Sequence, residues 1–504
     1  MMRVTWFDRA LSSVAPKAAL RRVRVRAALD AVRGYDGASK DRRRMSWQAT
    51  NTSADAEIAA SGYILRERMR DLVRNNPHAA KAASVWVQNL VGDGIEPRMK
   101  DQRLLKAWRR WERVCDADGQ LPFTGIQSLA VREMVEAGEV IIRRRWRRKT
   151  DGIPGNMQIQ VLEADHLDTS KNTALAEGGH IIQGVEFDKA GRRVAYHLFP
   201  VHPGHNVLGL AQTIVSERVP ASEIIHLYEK QRTQARGVPW GAPVIGAMRD
   251  LATYEDAELT RKKIEACMVG VLIGGDENDG VGIPLGTDEQ PGIYDGTGAL
   301  VERFEPGMFA IARGGRDVKF NTPAATGSYE GYRSAALHTI AAGWRLPYEA
   351  LSGDLSRVNY SSIRAGLVEF RRLVCAMQWQ LIIPILCERV LNWFIEAHQY
   401  SGDLPLGGAF EVEWSPPKFA WVDPLKDITA DLLAVRAGIR SMPEVLSEQG
   451  RDPDAVLAEI AEWSKKLDAA GLILDSDPRQ TAKNGALQIT VNAGDAPPPD
   501  GPTK

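Results

Sequence analysis

The first regular hydrophobic pattern of the chain lies in residues 58–75 and predicts a helix. Apolar side chains recur there every three or four residues, with arginines between them. Asn76 and Pro77 follow directly, and they predict the cap and the first turn of a second helix that continues to Leu90. Two further helices are predicted at residues 101–115 and 125–137.

After Gly138 the pattern changes to short segments of β-branched or alternating residues. This change predicts strands, because successive side chains of a strand point to opposite faces. The sequence Asp-Lys-Ala-Gly at residues 188–191 predicts a hairpin turn between the last two strands. The predicted strands cover residues 140–142, 157–162, 181–187 and 194–199.

Two helical patterns in the second half enclose a segment of a different kind. Residues 243–266 and 328–344 have the spacing of amphipathic helices. Residues 270–325 between them contain many glycines and short apolar pieces, which predict a small β-containing module.

The segment after the second of these helices predicts a loop followed by a long helix. Residues 347–360 contain a central Gly-Asp pair and lack helical spacing. A helix over residues 363–398, bent at Pro384, would span about 55 Å at roughly 1.5 Å per residue. Two or three shorter helices are predicted within residues 426–470. The fold class predicted for the whole chain is α+β.

The charge of the chain is balanced overall but uneven along its length. Residues 1–150 contain 31 Lys and Arg against 17 Asp and Glu, whereas residues 151–504 contain 33 against 47. The basic runs can neutralise phosphates or simply solvate a surface, and the composition alone favours solvation. These runs lie at residues 21–26, 42–44 and 143–149, the last reading Arg-Arg-Arg-Trp-Arg-Arg-Lys.

No feature predicts secretion or a membrane span. No apolar segment follows the early arginines, so we expect synthesis in the cytosol. The most apolar stretch, residues 373–395, is interrupted by Gln378, Pro384, Glu388 and other polar side chains, which makes it too polar for a membrane span.

The residue types needed for several kinds of catalysis and metal binding are missing or wrongly spaced. There is no Gly-Lys pair for a phosphate-binding loop, no Gly-x-Ser-x-Gly and no Cys-x-x-Cys. The four cysteines are expected to be free thiols, most of them buried. Three histidines lie near one another in sequence without a carboxylate at ligand spacing, and residues 274–280 read as an acidic turn, so we predict no metal, no cofactor and no enzyme. The three histidines are His197, His202 and His205.

Four segments, in this order, resemble the lambda-type family of phage portal proteins. Together they cover roughly residues 55–475, and their common order is more specific than any one of them. Gly241 departs from the family pattern, which often has a larger apolar residue there, and residues 1–50 have no clear match. The segments are Arg-Asp-Leu-Val-Arg-Asn-Asn-Pro at 70–77 with Val-Gly-Asp-Gly-Ile at 91–95, Arg-Gly-Val-Pro-Trp-Gly-Ala-Pro at 236–243, Leu-Ser-Gly-Asp-Leu-Ser at 351–356 with Asn-Tyr-Ser-Ser at 359–362, and the Pro-Pro connector at 414–427.

The resemblance implies a ring of about twelve subunits at one capsid vertex, each with a wing, a stem, a clip and a crown. The boundaries it implies are a basic mobile arm at 1–54, the wing at 55–240, a first stem helix at 241–268, the clip at 269–326, a second stem helix at 327–346, a tunnel loop at 347–361, a long helix and connector at 362–425, a helical crown at 426–475 and a disordered tail at 476–504.

The tunnel loop is the site that the resemblance implies, because this loop faces DNA in the family. Its candidate residues are Ser352, Gly353, Asp354, Ser356, Arg357, Asn359 and Tyr360, of which the last three are expected nearest the DNA. The implied partners are double-stranded DNA, the terminase large subunit, head-completion or adaptor proteins, and the major capsid and scaffolding proteins, with no membrane. The implied location is the virion, after assembly in the host cytoplasm.

Two other classes of function remain open at this point. One is a different head-tail connector or minor capsid protein, which a different ring size or position in the particle would reveal. The other is a nuclease or other DNA-processing enzyme that uses the basic arm. That enzyme would need a set of metal ligands, which the spacing of residues along the chain does not offer.

Overall fold

The computed structural model describes most of the chain after residue 50. The described residues are 51–205, 215–267, 271–273, 292–294, 310–313, 329–356 and 360–474 other than 409, 418, 420–423, 450, 452 and 473. The chain divides into two compact units, residues 1–57 and 58–504, and the account below concerns the second. The expected basic arm up to residue 50, the acidic turn at 274–280 and the tail at 476–504 lie outside the described residues.

Helices form most of the described chain, and most follow the hydrophobic spacing of the sequence. The side chain of Asn76 accepts hydrogen bonds from the amides of His78 and Ala79, which confirms the predicted cap. The helices are α1 (Ala54–Asn75), α2 (Pro77–Leu90), α3 (Gln102–Trp111), α4 (Phe123–Ala137), α5 (Ile245–Cys267), α6 (Tyr329–Gly343), α7 (Tyr348–Ser352), α8 (Tyr360–Met377), a π-helical segment (Gln378–Cys387), α9 (Glu388–Ser401), α10 (Pro424–Arg436), α11 (Met442–Glu448) and α12 (Pro453–Ala470).

The strands form four small sheets, which together with the helices confirm the predicted α+β class. The strands are β1 (Glu96–Met99), β2 (Glu139–Trp146), β3 (Met157–Glu163), β4 (Thr173–Ala174), β5 (His180–Ile182), β6 (Val185–Phe187), β7 (Arg193–Leu198), β8 (Glu217–Pro220), β9 (Ile224–Tyr228), β10 (Val271–Ile273), β11 (Gly292–Tyr294), β12 (Ala310–Arg313) and β13 (Val412–Ser415). The sheet orders are β3-β2-β9, β4-β5-β6-β7-β8, β1-β13 and β10-β12-β11.

The sheet β3-β2-β9 separates two hydrophobic cores. On one face, Ile142, Ile159 and Ile225 belong to the large core that the helices share. On the other face, Ile141 and residues of the five-stranded sheet form a smaller core. Both faces of the central strand β2 are therefore buried over its first half, which is why it contains the apolar run Val-Ile-Ile.

Aromatic side chains tie the helices of the large core together. Trp108 packs against Phe394 of α9, with ring centroids 5.0 Å apart, and edge-on against Phe123 of α4. Trp111 donates from Nε1 to the carbonyl oxygen of Met157 at 2.8 Å, which links α3 to β3. These contacts join residues from the first and last thirds of the described chain in one core.

Residues 181–187, predicted as one strand, form a hairpin instead. Gln183 and Gly184 both have left-handed backbone angles, with φ of 47° and 83°, and they form the two-residue turn between β5 and β6. Turns of this kind need positive φ at both positions, and Gln183 is an unusual residue for the first of them. The predicted turn at residues 188–191 is confirmed, since the Gly191 amide donates to the carbonyl oxygen of Asp188.

The long helical rod from α8 to α9 contains the predicted proline. Pro384 has no amide hydrogen to donate, and the wider π-helical turn around it accommodates the missing bond. The part Arg364–Ser401 is long and apolar enough to cross a membrane by length and composition alone. Its apolar side chains, including Val374 and Phe394, instead belong to the large core.

A buried carboxylate, Glu139 at the start of β2, joins β2, β9 and the segment that follows β9. Arg236 donates to both of its oxygens, from Nε at 2.8 and 2.9 Å and from Nη2 at 2.5 Å. His226 Nε2 and the amide nitrogen of Gly237 lie 2.9 and 2.8 Å from Oε2. Glu139 and Arg236 are each only 1% exposed. Since a buried charge must be paired and hydrogen bonded, these contacts fix the segment to the sheet.

Two glycines allow the backbone to approach this carboxylate. A Cβ atom on Gly138 would lie 2.3 Å from the carbonyl carbon of Val238, and one on Gly237 would lie 2.1 Å from the carbonyl oxygen of Gly138. Gly138 also has a φ of 92°, which side chains disfavour. Gly237, the first glycine of the Arg-Gly-Val-Pro-Trp-Gly motif, is therefore required by close packing of two backbone segments.

The imidazole of His226 is neutral, because of the groups on its two sides. Arg193 Nη1 lies 2.9 Å from Nδ1 and can only donate, so the ring proton is assigned to Nε2, facing Glu139. Burial, together with the charges of Arg193 and Arg236, lowers the pKa of His226 to about 4 even though Glu139 opposes this change. Burial alone would raise the pKa of Glu139, but Arg236 and His226 hold it well below its usual value.

We expect acidification from pH 7 to 4 to lower the free energy of unfolding by about 3 kcal/mol through His226 alone. The unfolded chain binds a proton on this side chain near pH 6.5, whereas the folded protein binds it only near pH 4, so each pH unit between contributes about 1.4 kcal/mol. This contribution is fully present above pH 6.5 and is lost as the pH falls towards 4. Denaturant unfolding followed by tryptophan fluorescence measures it.

The variant His226→Gln is the matched control, because a glutamine amide can donate to Glu139 and accept from Arg193 without binding a proton. Its stability profile should be flatter than that of the wild type between pH 6.5 and 4. Parallel profiles for the two proteins would show that His226 does not stay neutral on folding.

Candidate functional site

The candidate loop, residues 347–360, follows the end of α6 and leads into the long rod that begins with α8. Its first part is the short helix α7, where only a loop was predicted. The difference arises because Leu351 is fully buried in the large core, and this burial stabilises a helical turn that the sequence pattern was too short to reveal. Gly353 ends α7 with a φ of 78°, as expected for a glycine after a helix.

The polar side chains of the loop bind its own backbone. Ser352 Oγ accepts from the Asp354 amide at 3.1 Å. Asp354 Oδ1 in turn accepts from the amide and the hydroxyl of Ser356, at 2.9 and 2.6 Å. Leu355 between them is 63% exposed. These short-range bonds give the described half of the loop a defined turn with an apolar side chain at its exposed surface.

The structure places some of the predicted site residues and leaves others undescribed. Ser352, Gly353, Asp354 and Ser356 share the turn described above. Tyr360 is the first residue of α8, and nothing is described of its side chain. The remaining two, Arg357 and Asn359, lie outside the described residues.

An ammonium group from α2 lies against the loop, which the sequence did not indicate. A Cβ atom on Gly353 would lie 2.6 Å from Nζ of Lys81. Any side chain at Gly353 would therefore displace this lysine in addition to straining the backbone. The lysine adds one positive charge beside a turn whose single carboxylate, Asp354, accepts hydrogen bonds from its own neighbours.

The tryptophan directly after α6 is buried next to the start of the loop. The side chain of Trp344 is fully buried, and a Cβ atom on Gly241 would lie 2.5 Å from it. The same Cβ atom would lie 2.6 Å from Met69 Cε. The departure at Gly241 noted in the sequence is thus explained, because Trp344 and Met69 already occupy the space of a larger side chain. Trp86 of α2 donates to the carbonyl oxygen of Trp344 at 3.1 Å.

Arg345, next to Trp344, connects the end of α6 to the segment that follows β9. Its two terminal nitrogens donate to Glu229, at 2.8 Å each, just after β9. Its guanidinium carbon also lies 4.6 Å from the ring centroid of Trp240. These interactions hold Arg345 at a φ of 58°, a left-handed conformation that side chains rarely adopt. The chain therefore turns from α6 into α7 at a fixed angle.

The helices α5 and α6, which lead from the sheet domain to the β10–β12 strands and back, are joined by side chains. Arg333 Nε donates to Glu255 at 2.8 Å. Tyr254 packs against Tyr332 and Tyr329, with ring centroids 4.5 and 6.1 Å apart. The loop thus follows a pair of helices that these side chains hold together.

Among the described residues, one group of three side chains could hold a metal ion. Ligand atoms of Glu163, Asp165 and His202 lie within 4.8 Å of one another. Arg70 already pairs with both carboxylates, at 2.8 and 2.6 Å. His202 Nδ1 accepts from the Gly204 amide at 3.0 Å, which assigns the proton to Nε2 and leaves no lone pair towards the carboxylates. The group is therefore an ion-pair network.

Two of the candidate histidines have carboxylate neighbours that their spacing along the chain did not indicate. His202 has the neighbours just described, and His197 lies 3.3 Å from Glu186. The acids near His202 come from the end of β3 or just after it, and Glu186 comes from β6, the strand that pairs with β7. The thiols of Cys115 and Cys387 are buried and free, and burial raises the pKa of each, so neither is a reactive nucleophile.

Comparison with known proteins gives matches over most of the chain. A family model described as "Phage portal protein, lambda family" matches residues 40–378. The "Probable portal protein" of Halomonas phage phiHAP-1 is 28% identical, covering 87% of this chain and 88% of its own length. The "Portal protein B" of Escherichia phage lambda is 22% identical, covering 85% of this chain and 88% of its own length. A solved structure, "Neck of empty GTA particle computed with C6 symmetry", is 16% identical with a TM-score of 0.41, covering 77% of this chain and 93% of that chain.

We expect Arg345→Gly to be more stable than Arg345→Ala, by about 1 kcal/mol. Both variants lose the pair with Glu229 and the contact with Trp240, but only alanine pays the steric cost of a positive φ. This order is the reverse of that in a helix interior, where alanine is favoured. Denaturant midpoints of the two variants test it, and an alanine variant as stable as the glycine variant would contradict the assigned conformation.

Proposed function

The chain belongs to the lambda family of phage portal proteins, and from that premise we propose that about twelve copies close into a ring around a channel for double-stranded DNA. The observation that carries the proposal is the family match over residues 40–378, which is more than half of the chain. A portal is part of the phage particle. A ring of this kind needs two different complementary faces on each subunit, because its contacts are head-to-tail.

The proposed division of the subunit follows the expected boundaries. Residues 55–240 with the β3-β2-β9 sheet form the wing, α5 and α6 form the stem, and the strands β10–β12 lie in the clip at 269–326. The rod of α8 and α9 crosses from the loop towards a crown made of α10, α11 and α12. The pairing of α5 with α6 through Arg333 and Glu255 supports their assignment as a stem.

The loop at 347–361 is proposed to face the DNA. A conduit must touch DNA weakly, since affinity for phosphates grows with the number of cationic contacts. In the described half of the loop, hydroxyls and one carboxylate bind local backbone groups, and the nearby cation is Lys81. A turn of this composition can slide along a duplex without binding it tightly.

The proposed partners follow from the order of events in filling a head. We propose that the ring assembles in the host cytoplasm with the major capsid and scaffolding proteins. The terminase large subunit would dock on the clip while DNA enters. The head-completion or adaptor proteins would replace it afterwards.

We propose that the chain itself is not an enzyme, so that the force on DNA comes from the terminase. The competing proposal of a DNA-processing enzyme requires a metal or nucleotide site, and the group at Glu163, Asp165 and His202 is occupied by Arg70. Incubation of the purified chain with duplex DNA, Mg²⁺ and ATP separates the two. Intact DNA and unchanged ATP support a passive portal, whereas cleavage or hydrolysis supports an enzyme.

We expect deletion of residues 352–358 to leave ring assembly unchanged and to reduce the number of DNA-filled heads markedly. The contacts of Trp344 and Arg345 that hold the start of the loop do not involve the deleted residues. Complementation of a phage that lacks its own copy of the gene, followed by counting of filled and empty heads, measures the effect.

The control replaces the same seven residues with alternating glycine and serine. It keeps the length of the loop and removes its side chains, so filling by this variant shows how far length alone suffices. Normal filling by the deletion variant would overturn the assignment of the loop to the channel.

A further inference from the structure

The basic run at residues 143–149 divides into two faces because most of it lies on strand β2. Arg144 points to the side of the large core and is neutralised there. Its Nη2 lies 2.5 Å from Glu223 and its Nη1 2.5 Å from Glu396. The rings of Trp146 and Trp393 lie 4.6 and 5.5 Å from its guanidinium carbon. Arg144 therefore stabilises the fold through these contacts.

The arginines of the opposite face are oriented without being neutralised. Arg145 Nε donates to Gln160 Oε1 at 2.7 Å, and Arg147 Nε donates to Gln158 Oε1 at 2.6 Å. Arg143 has neither a hydrogen bond nor an ion pair with its side chain in the part of the chain that the structure describes. Arg147 Nη2 also donates to the carbonyl oxygen of Ala117 at 3.2 Å. Neutral groups thus fix two guanidinium groups, and most of their N–H donors have no partner among the described residues.

These three arginines lie beyond the part of β2 that the smaller core buries, and β8 of the five-stranded sheet lines the other side of the groove beside Arg143 and Arg145. Ile141 on the same face is buried in the smaller core, whereas Arg143 and Arg145 are half-buried at the edge of a groove of about 390 Å³. Burial and repulsion by Arg143 and Arg147 lower the pKa of Arg145, and Glu217 is the acid that partly offsets them. Of the two acids that line the groove, Glu223 pairs with Arg144, so Glu217 alone opposes Arg143 and Arg145 and the described residues leave an excess of positive charge there.

We propose that Arg143, Arg145 and Arg147 bind the phosphates of a nucleic-acid backbone, as a contact distinct from the loop at 347–361. Alternate residues of a strand lie about 6.7 Å apart, and Arg147 directly follows the last residue of β2, so the three arginines extend over roughly 13 Å. About four phosphates of one strand lie along that length of a duplex, at roughly 3.4 Å per phosphate along the axis. Guanidinium groups held by side-chain amides present the planar fork that phosphates accept.

The ligand is duplex DNA and not an acidic protein surface, for a reason of composition. The neighbours of Arg143, Arg145 and Arg147 on β3 are the polar residues Gln158 and Gln160. A protein interface would instead need apolar side chains at its centre. Trp146, the exposed aromatic residue of the strand, contacts Arg144 instead. The choice of DNA as the source of the phosphates rests on the proposed portal function.

The test compares two triple variants that remove the same charge. One is Arg143→Gln with Arg145→Gln and Arg147→Gln. The control is Arg103→Gln with Lys106→Gln and Arg110→Gln on α3, whose side chains are exposed and lack an ion pair among the described residues. Fluorescence anisotropy with a labelled 30-base-pair duplex between 50 and 300 mM salt gives the affinity and its salt dependence.

We expect the first variant to bind the duplex at least about tenfold more weakly at 0.1 M salt, with a salt slope reduced by about 2.7, and the control to change far less. Equal losses in both variants would show that net charge alone attracts DNA and would overturn the site. No measurable binding by the wild type at 50 mM salt would overturn it as well.

Three further measurements keep the result interpretable. Arg143→Gln alone removes a side chain with no partner among the described residues, so it should fold normally and reduce the salt slope by about 0.9. Labelled polyglutamate is the second probe: if it binds through the three arginines and the duplex does not, the ligand is an acidic protein and the proposal is wrong. The 352–358 deletion variant should bind the duplex whatever its oligomeric state, because it keeps the three arginines. Such binding would show that this contact exists even if the portal proposal fails.

Discussion

The buried carboxylate of Glu139 is the interaction on which the rest of the structure depends. It begins the central strand β2, and through Arg236 and Gly237 it fixes the segment that leads to Trp240 and α5. That segment also places Glu229 and Trp240 around Arg345. The start of the loop is therefore held by the same segment that Glu139 fixes. Removal of one partner would leave a charge in the protein interior, which costs about 3–5 kcal/mol. If the loop contacts moving DNA, as we propose, it needs such a base, because the scaffold must stay fixed while the loop responds.

Much of the fold could be predicted from local patterns, and the parts that could not depend on distant contacts. The cap at Asn76 and the proline within the long rod follow from the chemistry of single residues. The hairpin at Gln183 and the helix α7 were missed, since a glutamine with positive φ and a five-residue helix are both stabilised by surrounding packing. The candidate loop itself was found through family resemblance, whereas its neighbour Lys81 is distant in sequence and had no local signal.

The distribution of charge gives a physical reason for the two kinds of DNA contact that we propose. The loop binds its polar side chains to its own backbone, which suits weak and transient contact with a passing duplex. Arg145 on β2 and Arg147 directly after it are instead held by neutral glutamines and keep their charge available. The excess of acids after residue 150, 47 against 33 basic residues, opposes nonspecific binding elsewhere. In the proposed function, transport depends on geometry, with the energy supplied by the terminase.

Electron microscopy of the purified chain tests the central claim most directly, since a conduit exists only if many copies close around a hole. The account predicts rings of uniform size with a central channel wide enough for a DNA duplex, formed without nucleotide. A chain that stays monomeric under all assembly conditions, or that assembles only into open filaments, would contradict it.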